Sequence, residues 1–305
     1  MTCIPSAPLG SSGISIARIG LGCNRIGEEH LSDSEWVALL HEAADLGVTL
    51  FDTAAAYAGG RSEELVGQAF KGRSDVVIAT KVSPVHRDGK PPFTAEVIIR
   101  GAERSLRALQ RECIDVLQTH GSGSLAEMRD PEWAEAMGRL QEQGKIRLRA
   151  AAVFHAVGAI HAVEQGLVDV LQVTYNLIDR SHAEPILPVA ASHGVGLIAR
   201  MPFQRGTLTG KFSPGAPVPE GHRARLQGEQ LAADIEYAER FRSLGQARPG
   251  GMTALAIQYV LAERRMACTI PGARSREQLR LNLEAARAPA LTDDERRAVE
   301  TAQQA

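Results

Sequence analysis

Short apolar runs rich in Val, Ile and Leu alternate along this chain with longer segments whose apolar residues recur three and four apart. The first pattern predicts buried strands, the second helices with one apolar face. The runs fall at residues 17–23, 48–52, 76–81, 114–120, 146–154, 168–173, 195–199 and 268–270. The helical segments fall at 33–46, 61–71, 94–109, 131–143, 155–165, 184–193, 253–263 and 275–286. In the first helix Asp33 is the expected cap, and Trp36, Leu39, Leu40 and Ala43 share a face. Gly47, Gly144, Gly166 and Gly194 each stand between a helix and the next apolar run, where a helix stops. Residues 7–16 read as a hairpin turning at Ser11-Ser12-Gly13. A Pro- and Gly-rich connection from 201 to about 231 breaks the rhythm; a helix to about 244 follows, and 292–302 closes the chain.

Eight strand–helix repeats predict a parallel sheet closed on itself. The expected fold is a (β/α)8 TIM barrel with a short N-terminal hairpin and extra C-terminal helices, one domain over residues 1–305. An open doubly wound sheet competes, but normally has fewer units in this length. At 44% hydrophobic residues the chain can fill such a core. A net charge of −2 with mixed signs gives no basic face for nucleic acid and no polybasic membrane signal. The four cysteines, Cys3, Cys23, Cys113 and Cys268, lie far apart and fit neither a disulfide framework nor a zinc spacing. No apolar run reaches the ~18 residues of a membrane helix, and residues 1–13 lack the marks of a secretory leader. The expectation is a cytoplasmic protein without metal, acting on a small molecule, its oligomeric state undetermined.

Two apolar runs deliver ionisable groups of opposite sign where they end, Asp52 and Lys81. Unpaired buried charge is costly, so the two should face each other. A structural ion pair at a sheet rim is one reading. Against it, Lys occurs only at 71, 81, 90, 145 and 211 in an Arg-rich chain, and a lysine can shift its pKa beside a reacting group where Arg does so poorly. A third run ends at His120, and Tyr57 follows Asp52 in a loop of small residues. In a barrel, all four reach the C-terminal rim of adjacent strands, where barrel active sites are built. A free phenol has a pKa near ~10; an adjacent ammonium is expected to lower it, with the carboxylate holding the ammonium. The histidine can orient a substrate oxygen. Such a set protonates an oxygen while another group attacks its carbon. GLGCNRIG at 20–27 is not a dinucleotide fingerprint, because Arg25 stands where the third glycine belongs. Residues 271–278 offer a better phosphate signal: Ser275 with Gln278 is a capping-box pattern at a helix start, flanked by Arg274 and Arg276. An ordinary capped surface helix explains that stretch equally well.

The stretches GVTLFDTAAAYAGGRSEELVGQAF, IATK, IDVLQTHG, GKIR, QVTYNLIDR, GVGLIARMPFQRGTLTGKF and IPGARSREQLRLNLEAA resemble the aldo-keto reductases from end to end. The resemblance implies NADP(H) bound without a Rossmann domain, and hydride transfer to or from a carbonyl carbon of an aldehyde, ketone or sugar. It implies Tyr57 as general acid/base, Lys81 tuning it, Asp52 holding Lys81, and His120 orienting the carbonyl. It further implies cofactor contacts from Gly22, Cys23, Asn24 and Asp52, from Gln172 and Arg200, from Met201, Pro202, Gln204, Gly206 and Lys211 in a connection covering the pyrophosphate, and from Gly272, Ala273, Arg274, Gln278 and Asn282. Three departures stand out. Ala152-Val153 occupy the place of a Ser-Asn pair that grips the nicotinamide carboxamide, leaving Gln172 as its expected partner. Arg200 replaces a stacking aromatic ring, and Leu281 an acidic residue. Other readings are a nucleotide-binding, redox-responsive protein and a pathway enzyme that uses the same acid/base set without net redox turnover.

Overall fold

The computed structural model describes residues 4–83, 94–121 and 123–304. Its centre is an eight-stranded parallel sheet of β3 (Leu21–Gly22), β4 (Leu50–Asp52), β5 (Val77–Val82), β6 (Ile114–His120), β7 (Ile146–Val153), β8 (Val170–Thr174), β9 (Gly196–Arg200) and β10 (Cys268–Thr269). Each strand pairs in parallel with the next in sequence. Bridges Ile19–Thr269 and Gly22–Gly272 join the first strand to the last and close the ring. The expected barrel is therefore the fold. A hairpin of β1 (Ser6–Pro8) and β2 (Ser15–Ala17) precedes it.

The expected strand at 17–23 is mostly irregular, with regular pairing confined to Leu21–Gly22. Gly22 packs closely on the last strand, where a Cβ would sit 2.8 Å from the Ile270 carbonyl oxygen. Around the ring lie α1 (Asp33–Asp45), α2 (Arg61–Phe70), α3 (Ala95–Ala108), α4 (Leu125–Met128), α5 (Pro131–Glu142), α6 (Ala156–Glu164) and α7 (Ile186–Ser192). After the long connection come α8 (Gln230–Glu239), α9 (Arg242–Gln246), α10 (Gly251–Ala262), α11 (Arg276–Arg287) and α12 (Asp293–Gln304). Ser32, not Asp33, caps α1: its hydroxyl accepts from Glu35 N–H, completing a capping box. The helix expected to reach 244 breaks at Arg240-Phe241 into α8 and α9. α4 had no counterpart in the apolar pattern, being a single capped turn.

Strand side chains alternate in and out, and the inward ones change character along the barrel. Leu50, Val77, Ala79, Val116, Leu148, Ala150, Val170, Ile198 and Cys268 form one apolar cluster with Leu9, Ile14 and Ile16 of the hairpin. The next inward positions towards the C-terminal rim are Asp52, Lys81, Gln118, Gln172 and Arg200. The barrel is thus packed shut at one end and polar at the other. No helix among the described residues is long and apolar enough to cross a membrane.

Candidate active site

Asp52 and Lys81 meet at the polar end, both almost fully buried. Lys81 Nζ donates to Asp52 Oδ2 at 2.5 Å and to the Thr53 carbonyl at 2.9 Å. An ammonium has three protons, and the remaining one is left for Tyr57, whose ring centre lies 5.0 Å from Nζ. Burial opposes the ammonium, yet Asp52 and Tyr57 outweigh it and raise the Lys81 pKa above its ordinary value. The other carboxylate oxygen, Asp52 Oδ1, accepts from Gln118 Nε2 and Gln172 Nε2, each at 2.8 Å.

Tyr57 opens a 3-10 turn after β4. Its ring stands edge-on to His120, centroids 5.8 Å apart. The expected lowering of the phenol pKa does not occur. Burial, aided by Asp52, outweighs Lys81 and raises it. Burial and the Lys81 charge also push His120 down to about 4, so the imidazole is neutral at neutral pH. Ser62 and Glu63 brace the ends of these strands. The Ser62 hydroxyl reaches the Cys23 carbonyl at 2.9 Å and the Thr53 hydroxyl at 2.8 Å, and Thr80 donates to Glu63 at 2.6 Å.

These groups floor a cleft of about 600 Å³ running out to the turn after β10. Of the residues expected to touch a cofactor, Asp52, Gln172 and Arg200 line its inner half, and Gly22 and Asn24 line it beside Gly272. Met201, Pro202, Gly206 and Lys211 line the side formed by the long connection. Gly272, Arg274, Gln278 and Asn282 line the far end. Cys23, Gln204 and Ala273 are buried behind the wall instead. Gln204 bridges Asn176 and Asp234, at 3.2 and 3.0 Å, and so anchors the connection.

Three of the expected groups take a specific form in the structure. The Gln172 amide nitrogen is held by Asp52, leaving its carbonyl as the group free for the cleft. Arg200 lies over the Phe154 ring at 3.8 Å and donates to the Val153 carbonyl at 2.8 Å and Thr174 Oγ1 at 3.2 Å. The capping box at 275–278 is half made. Ser275 accepts from Gln278 N–H at 3.2 Å, but Gln278 Oε1 takes Arg274 N–H at 2.9 Å.

Sequence reading passed over Arg25 and Arg205, which line the cleft with Arg223, His222, Lys211 and Arg274. Arg25 lies three residues beyond the end of β3, in the turn at the same rim as Asp52 and Lys81. Burial and the crowding lower Lys211 and His222. Burial first, then Arg274, lowers Lys211; burial, Lys211, Arg274 and Arg25 lower His222. An anion between them would relieve that repulsion. Glycines at 22 and 272 let the first and last strands pack closely at the cleft wall, since a Cβ would come within 2.8 Å of the Ile270 carbonyl oxygen and of Asn24 Oδ1 respectively. The cleft therefore suits a long, polyanionic molecule whose other end rests on the Asp52–Lys81–Tyr57–His120 group.

The barrel thus carries a buried carboxylate–ammonium pair beneath a phenol and a neutral imidazole, opening into a cationic cleft. The chain belongs to the aldo/keto reductase family, whose model matches residues 18–304; such reductases work with nicotinamide cofactors. It is 31% identical to the uncharacterized oxidoreductase YqkF of Bacillus subtilis over 96% of this chain and 94% of that one. It is 30% identical to the NADH-specific methylglyoxal reductase of Escherichia coli over 91% and 92%. Among solved structures it resembles the holo form of aldo-keto reductase AKR11C1 from Bacillus halodurans, with a TM-score of 0.80 and 27% identity over 98% and 96% of the chains.

Proposed function

We propose that this protein is an NADP(H)-dependent reductase of aldehydes, ketones or sugars, or the corresponding alcohol dehydrogenase, with Tyr57 as general acid/base. The observation that carries the reading is the placing of Tyr57 and His120 over the Lys81–Asp52 pair at the floor of the cleft. The nicotinamide, when bound, supplies or accepts the hydride.

The protein's own groups handle the proton and the charge. Tyr57 stays protonated at neutral pH and donates to the carbonyl oxygen as negative charge builds there. Lys81, fixed by two acceptors, stabilises the phenolate left behind. Neutral His120 donates a second hydrogen bond to the same oxygen without competing for its proton. In oxidation the roles reverse, and the phenolate takes the alcohol proton.

Arg25, Lys211, Arg223 and Arg274 at the far end support NADP(H) over NAD(H), because a 2′-phosphate adds charge where the cations crowd. The test is NADPH loss on mixing with a panel of aldehydes, ketones and aldoses, with NADPH and NADH affinities measured alongside. Turnover with NADPH and tighter binding of NADPH than NADH are expected. NADPH binding without turnover of any carbonyl would contradict the reductase and favour a redox-responsive nucleotide binder. Tighter NADH binding would overturn the cofactor assignment.

A further inference from the structure

We infer that Gln118 is a positioning residue for the proton-transfer group: with Gln172 it clamps Asp52 Oδ1, fixing how strongly Asp52 screens Lys81 from Tyr57. The inference rests on the proposed reaction but concerns a residue that touches neither substrate nor cofactor.

Gln118 lies on β6 two residues before His120, so both project inward from one strand. In register it sits beside Lys81 of β5. It is fully buried and does not line the cleft. Its Nε2 donates to Asp52 Oδ1 at 2.8 Å, while its Oε1 is buried without a hydrogen-bond partner. An orphaned buried acceptor is costly. A purely space-filling residue at this inward position could be aliphatic, like Val116 two residues earlier. What the polar side chain adds at that cost is the bond its amide donates to Asp52.

Asp52 takes an ammonium on one oxygen and two neutral amides on the other. The amides draw charge from the carboxylate and lock its rotation. Remove one, and the carboxylate keeps more charge for Lys81. Lys81 lowers the phenol pKa and Asp52 raises it, so a more strongly charged, looser Asp52 makes Tyr57 harder to ionise. Gln172 has a second role, since it also lines the cleft. The two amides make the same bond to Asp52, but only one is open to a cofactor.

The experiment compares Gln118→Leu and Gln172→Leu with the intact enzyme. Both should raise the pH at which alcohol oxidation reaches half its maximal rate, and both should lower kcat about tenfold with KM little changed. NADPH affinity should be unchanged in Gln118→Leu and weakened in Gln172→Leu. A crystal structure of Gln118→Leu should show the Asp52 carboxylate turned from its present pose. An unmoved Asp52, or an unshifted pH midpoint in Gln118→Leu, overturns the clamp. Wild-type protein that turns over no carbonyl would instead overturn the reaction itself, and the position of Asp52 in the variant crystal would still decide the clamp.

Discussion

His120 shows how burial sets a residue's protonation against its ordinary habit. Its folded pKa of about 4 lies below the ordinary value of 6.5, with burial the leading cause and Lys81 next. The sign follows from linkage. Between those two values the unfolded chain takes up a proton that the folded chain refuses, so stability falls as the pH drops through that window. His120→Gln removes the effect. Melting curves from pH 7 to pH 5 should show the variant gaining on the wild type as the pH falls; a constant difference would refute the buried neutral imidazole. Arg200 and Val153 mark what a linear reading cannot see at this scale. The sequence places Arg200 at a strand end, but its partners, the Phe154 ring and the Val153 carbonyl, come from the end of β7, two strands away in the sheet. Val153, at the position of an expected amide clamp, is buried beside Gly123 and does not line the cleft. Which way a side chain turns at a strand's last residue depends on the local backbone, which alternation alone does not settle.

At the scale of elements, most of the architecture was legible because apolar runs stop abruptly where polar chemistry starts. Leu50-Phe51 gives way to Asp52, and the run at 76–79 gives way to Lys81 after Thr80. Boundaries failed where a cap competed with its neighbour, as at Ser32 and Asp33, and where an apolar run paired regularly over only two residues, as at Leu21–Gly22. Close helix packing was also invisible, and it makes a prediction. Gly67 in α2 lies so near the end of α3 that a Cβ would meet the Ala108 carbonyl oxygen at 2.4 Å. That atom is backbone and cannot step aside. Gly67→Ala should destabilise the protein by about 1–3 kcal/mol. Gly138 in α5 has open space around its Cβ position, so Gly138→Ala should be neutral or stabilising by up to about 1 kcal/mol. Denaturant unfolding of both variants checks the pair; equal effects would contradict this packing.

For the whole molecule, net charge said little, because a balance of −2 conceals a segregated distribution. Arg25, the connection that carries Lys211 and Arg223, and Arg274 are three stretches distant in sequence, and closure of the ring gathers them at one mouth. The same closure sets Tyr57 over the Lys81–Asp52 pair on two neighbouring strands. The catalytic assignment therefore concentrates on one hydroxyl group. Its most direct test is NADPH consumption by Tyr57→Phe, with NADPH affinity measured on the same sample. The account predicts a loss of about 10²–10⁴-fold in carbonyl reduction with affinity nearly unchanged; turnover equal to wild type would contradict it.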